Sequence, residues 1–164
     1  MSPVVETDHL DRAILRLLHI DARMPSSRIA KCLDVTDRTV RNRIDKILES
    51  GLARIGLLVD QEAAGFPVVG MLHIDVEPGR ADPVARTLAA DKLVNFVALT
   101  LSEWDLSIQV YAQSNAEMLD WINDQVSKID GVRNVRASIH PRLYKRPADW
   151  FPPTWTEDTA LLEG

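Results

Sequence analysis

Residues 36–51 read Thr-Asp-Arg-Thr-Val-Arg-Asn-Arg-Ile-Asp-Lys-Ile-Leu-Glu-Ser-Gly, and the period of that stretch decides the fold. Val40, Ile44, Ile47 and Leu48 recur at i, i+4, i+7 and i+8, which is one buried face of a helix. Thr36 can cap its start, and Gly51 stands where a helix end favours a left-handed residue. At ~100° per residue, Arg38, Asn42 and Lys46 share the face opposite the apolar stripe, with Arg41 and Arg43 on its flanks. Arg can reach guanine O6/N7 or a phosphate, Asn can pair with adenine, and Lys neutralises phosphate. A charged outer face is ordinarily just a solvated one, so the neighbouring segments have to decide between the two readings.

Upstream, Leu10, Ile14, Leu17 and Leu18 repeat the same spacing behind a capping Asp8, with Asp11 in the first turn. The stretch Asp21–Pro25 ends that pattern, and a short second helix from Ser26 or Ser27 through Leu33 buries Ile29, Ala30 and Leu33. Downstream, the apolar run Leu52–Val59 reads as a strand-like wing. Three helices and a wing place the third helix in a major groove while the second braces it. Residues 1–60 are therefore expected to form a winged helix-turn-helix that contacts double-stranded DNA through Thr36, Arg38, Thr39, Arg41, Asn42, Arg43 and Lys46.

Residues 61–67 form the expected hinge, after which the pattern changes. Val68, Gly70, Leu72, Ile74 and Val76 alternate with their neighbours as a strand does. Pro83–Ala90 reads as a helix with Val84 and Leu88 inward. Strands follow at Val94–Leu101 and Leu106–Tyr111, joined by the hairpin-length link Ser102–Asp105. Ser114 and Glu117 make a capping box, opening a helix with Met118, Leu119, Ile122, Val126 and Ile129 on one face, and Val132–Ile139 is a fourth strand. The order βαββαβ predicts a ferredoxin-like domain over 68–146, so the chain as a whole is of the α+β class. Both faces of the second strand are apolar, Val97, Leu99 and Leu101 on one and Phe96 and Ala98 on the other, which calls for a second subunit as cover. Residues 147–164 read as an irregular aromatic tail.

The charge distribution agrees with this division. The chain carries a net charge of −5, yet residues 9–60 hold ten Lys/Arg against seven Asp/Glu, a basic front half on an acidic back half. The single Cys32 excludes an internal disulfide and reads as a small buried hydrophobe. No Cys/His spacing suggests a metal, no cofactor motif occurs, and no apolar run approaches the ~20 residues of a membrane span. The N-terminus lacks the apolar stretch of a secretory signal, so a cytoplasmic location is expected.

Residues 8–146 resemble the Lrp/AsnC (feast/famine) family of regulators. Leu10-Asp11-Arg12-x-Ile14-Leu15-x-Leu17-Leu18 with Asp21-x-Arg23 is similar to the family's first helix and turn, and Ile29-Ala30, Val35-Thr36 and Val40-x-x-Arg43-Ile44-x-Lys46-x-x-Glu49-x-Gly51-Leu52 to its helix-turn-helix. Ser102-Glu103-Trp104-Asp105 stands where the family has a Gly-x-x-Asp hairpin, with Ser102 replacing the glycine, and Ile129-Asp130-Gly131-Val132 resembles its last helix-to-strand turn. The resemblance implies a transcription regulator that dimerises through its second domain, in many members assembles into octamers, and binds an amino acid or related metabolite between subunits. It points to Ser102, Glu103, Trp104 and Asp105 as effector contacts, Asp105 holding an ammonium group and Trp104 closing an apolar side; the other reading of the hairpin is a solvated turn in which Asp105 caps the chain and Trp104 packs on a neighbour. Two other readings stand beside it: an enzyme like the siroheme decarboxylases that share this resemblance, and a winged helix serving only protein interaction. The four histidines, His9, His19, His73 and His140, have no second catalytic type at a telling spacing.

Overall fold

A computed structural model of the protein describes residues 4–145 and 149–155. They form two compact units, one gathering the residues up to Leu57 with those from Lys145 onward, the other spanning Leu58–Tyr144.

The first unit holds α1 (His9–Ile20), α2 (Ser26–Cys32) and α3 (Asp37–Glu49). Asp8 opens α1 through a reciprocal box: its Oδ1 accepts the Asp11 N–H at 2.9 Å, and its own N–H donates to Asp11 Oδ2 at 3.2 Å. Two first-turn donors are thereby satisfied. Asp34 ends α2 by taking a left-handed φ of 52°, a conformation aspartate tolerates. Thr36 caps α3, its Oγ1 accepting the Thr39 N–H at 3.1 Å. Ile14, Leu17, Ile29, Ala30 and Val40 are buried in one core with Leu10, Leu18, Leu33 and Ile44 packed against them, whereas Leu48, expected on the buried stripe of α3, is exposed. Each large aliphatic buried there contributes about 1.5–3 kcal/mol of transfer free energy.

Two further expectations for this unit are corrected. Leu52–Val59 forms no strand, and Ile55, Leu57, Leu58 and Val59 are exposed. A strand needs a partner's ladder of donors and acceptors, and among the described residues this run finds none. Cys32, the last residue of α2, is exposed. In the same unit the Phe151 ring lies 4.8 Å from that of His19 at the end of α1, and Trp155 meets Phe151 edge-on at 6.0 Å; of the tail expected over 147–164, residues 147–148 and 156–164 lie outside the described residues.

The second unit comprises β1 (Val68–Val76), α4 (Ala81–Ala89), β2 (Val94–Leu99), β3 (Leu106–Ala112), α5 (Asn115–Asp124) and β4 (Val132–Ile139). The strands lie in the order β2-β3-β1-β4, every neighbouring pair antiparallel. Leu72, Ile74, Leu106, Ile108 and Val110 turn to the helices and pack with Val84, Leu88, Met118 and Trp121. Gly70 admits the close approach of α5, since a Cβ there would collide with Met118 Sδ.

Here too the sequence pattern needs amendment. β2 stops at Leu99, two residues short of the expected end, and Leu119 is exposed while Trp121 takes the inward place. Trp121 also donates its Nε1–H to Asp91 at 2.9 Å, so its polar edge is satisfied as well as its apolar body. Val97 packs toward the helices, whereas Leu99 and Leu101 are exposed. The opposite face carries Met71, His73, Gln109 and Arg136 beside Phe96 in the paired registers, a mixed surface rather than a wholly apolar one.

Candidate nucleic-acid interface and effector hairpin

The outer face of α3 carries the row expected from its period. Arg38, Asn42 and Lys46 are all exposed, and among the described residues none of the three is held by an ion pair or side-chain hydrogen bond. They are separated by four residues each, so one edge of the helix presents two cations with an amide between them.

The flanking candidates are engaged. Thr36 is occupied as the N-cap, and its Oγ1 lies 2.8 Å from that of Thr39. Arg41 pairs with Asp37 at 2.6 Å, one turn earlier, and its Nε donates to Ser26 Oγ at 3.2 Å. That side chain is 67% exposed, so the pair is a weak one that a phosphate can compete with. Arg43 differs. Its Nη1 lies 2.5 Å from Asp8 Oδ2 and 3.0 Å from Asp11 Oδ1, both at the start of α1. The expected role of Arg43 as a base or phosphate contact conflicts with that geometry, because its guanidinium is already shared by two carboxylates. Those bonds raise the Arg43 pKa above its ordinary value. The Asp8 carboxyl is held below its usual range, first by the Asp11 N–H and also by Arg43.

The hairpin between β2 and β3 closes through the Thr100 N–H bonded to the Asp105 carbonyl at 2.9 Å, and through a bond from the Thr100 hydroxyl to the Trp104 carbonyl. Ser102 and Glu103 are exposed, and Trp104 is half-buried. Asp105 faces β1: its N–H donates to the Ile74 carbonyl at 3.1 Å, and its Oδ2 accepts the Val76 N–H at 2.9 Å. Trp104 donates its Nε1–H to Glu103 at 3.0 Å, and the Arg136 guanidinium lies over its ring, 4.9 Å from the centroid. The His73 ring is 6.4 Å away. The sequence does not mark His73 or Arg136 as neighbours of this hairpin. They are cross-strand partners in the β1–β4 register, and alternation shows only that each points outward, never which strand lies beside it.

Comparison with known proteins bears on both halves. The AsnC-type helix-turn-helix domain matches residues 8–47 and the Lrp/AsnC ligand binding domain residues 70–149. An uncharacterized HTH-type transcriptional regulator of Pyrococcus horikoshii is 33% identical over 136 residues, covering 82% of this chain and 86% of the relative. The HTH-type transcriptional regulator FL11 of Pyrococcus abyssi is 27% identical over 146 residues, covering 88% and 96%. Among solved structures, that of E. coli AsnC superposes with a TM-score of 0.79 at 21% identity, covering 87% of this chain and 95% of that one. A Neisseria meningitidis transcriptional regulator solved with L-Met superposes at 0.80 with 14% identity, covering 86% and 94%.

Proposed function

As the chain belongs to the Lrp/AsnC family of DNA-binding transcription regulators, we propose that it reads double-stranded DNA through the outer face of α3. Arg38, Asn42 and Lys46 enter the major groove, while Thr36, Thr39 and Arg41 lie at the helix's N-terminal end beside the phosphates. The observation that carries this reading is the exposed row Arg38–Asn42–Lys46, whose members have no competing partner among the described residues. The chain acts by binding rather than by catalysis.

In the second unit the effector is an amino acid, taken at the Ser102–Asp105 hairpin. A relative in fold was solved with L-Met, and the exposed Ser102 and Glu103 lie beside the indole of Trp104, which offers an apolar wall. Asp105 has a lesser part than its carboxylate alone suggests, since Oδ2 already serves Val76. Subunits associate as dimers or larger assemblies, covering the apolar residues exposed on the sheet and on the run 55–59. No helix among the described residues is long and apolar enough to cross a membrane, and the protein works in the cytoplasm on DNA. The test is binding to the DNA upstream of its own gene, titrated with and without each standard amino acid. Retarded DNA whose affinity one amino acid shifts supports both parts. Absence of DNA binding removes the first, and binding indifferent to every amino acid removes the second.

A further inference from the structure

We propose that Arg43 is the positioning residue of the recognition helix: clamped by Asp8 and Asp11, it fixes the rotation of α3 on α1 and does not itself touch DNA. Three observations meet here. Arg43 Nη1 bridges two carboxylates that belong to the first turn of α1, more than thirty residues away in the chain. Asp11 is only 6% exposed, and a carboxylate so placed requires a cation beside it. Asp8 and Asp11 are in turn fixed to each other by the reciprocal cap, so the receptor for the guanidinium is rigid.

Arg43 therefore cannot swing to a phosphate without stranding a buried charge. It immediately follows Asn42 and sits midway between Val40 in the core and Lys46 on the outer row. Holding it to α1 sets the angle at which that row faces outward. Base-edge hydrogen bonds tolerate misplacement of only about 0.5 Å and 10–20°, whereas phosphate attraction is far less directional. Without the clamp, sequence discrimination should consequently suffer more than general attraction to DNA.

The experiment compares Arg43→Ala, Arg43→Lys, Asp11→Asn and Asp8→Asn in the full chain. Two duplexes serve as probes: the one the wild type enriches most strongly from a random pool, and a random duplex of equal length, each titrated over a range of salt. Circular dichroism establishes the folded fraction. Expected are weaker binding to the selected duplex by about tenfold in Arg43→Ala and Asp11→Asn, less in Asp8→Asn and Arg43→Lys, and a lower selected-to-random ratio. The slope of log affinity against log salt stays that of the wild type. The sign of the acid variants is decisive, since neutralising an aspartate near DNA would by charge alone tighten binding. A purely structural pair would lower the melting temperature and leave the selected-to-random ratio of the folded protein intact, which overturns the proposal. So would a slope reduced by ~0.9 in Arg43→Ala, the mark of a side chain that had been neutralising a phosphate, or tightened binding in Asp11→Asn. If Asp11→Asn fails to fold, Asp8→Asn, whose side chain is half exposed, decides by the same criteria.

Discussion

Asp105 Oδ2 accepts the backbone N–H of Val76 at 2.9 Å, so the acid of the β2–β3 hairpin ties the turn to the end of β1. The β1–β3 ladder ends at Ile74 and Leu106, and at Val76, two residues beyond it, a side-chain acceptor replaces a bond that the ladder does not supply. Replacing Asp105 with Ala should lower the stability of the second unit by about 1–2 kcal/mol. Denaturant unfolding of the variant would show it as a shifted midpoint, and an unchanged midpoint would mean that the bond contributes nothing.

The cap of α1 gives the first unit an acid limit. The Asp8 carboxyl is lowered from its ordinary value by the Asp11 N–H and by Arg43. A carboxylate whose folded pKa is depressed contributes stability that is fully present above its unfolded value, ~3.9 for aspartate. That contribution is lost as pH falls through the lower folded value. Thermal melts should thus show no contribution from Asp8 to pH dependence between about pH 5 and 8, and a loss below about pH 4 that Asp8→Asn diminishes. A variant with the same acid slope as the wild type would contradict this.

The Phe151 ring packs on that of His19 at the end of α1. Phe151→Ala should destabilise the first unit by roughly 1 kcal/mol, in the range of aromatic pairs, and should open residues 149–155 to protease. Resistance equal to that of the wild type in limited proteolysis would argue against the contact.

Leu57, 91% exposed, heads a run of apolar side chains that a lone chain leaves in water. Light scattering at micromolar concentration should therefore give a dimer or larger species, and changing Leu57 and Leu58 to Asp should reduce its mass or its stability to dilution. A monomeric wild type would contradict the expectation.

Much of this was legible from residue spacing. The stripes of α1 and α3, the caps Asp8, Thr36 and Ser114 and the βαββαβ order follow from local periodicity, and the structure uses the expected residues except Leu48, which is exposed at the end of α3. What local patterns miss depends on partners distant in sequence. Arg43 falls on the flank of its helix in either role, and only the approach of α1 shows that two carboxylates await it. Leu52–Val59 has a strand's composition but lacks a strand to pair with among the described residues. Asp105 reads as a free acid until β1 is set beside it. Trp104 gains Arg136 and His73 as neighbours only through strand register and the fold of the hairpin.

The central claim is that the outer row of α3 reads DNA, and the salt dependence of binding tests it most directly. The triple variant Arg38→Ala, Asn42→Ala, Lys46→Ala leaves the core untouched, since all three side chains are exposed, and should fold as the wild type does. Its affinity for the duplex that the wild type selects should fall to that for random DNA. Its slope of log affinity against log salt should become shallower by ~0.9 for each phosphate that the variant no longer neutralises. An affinity and a slope both equal to those of the wild type would place the DNA surface elsewhere on the molecule.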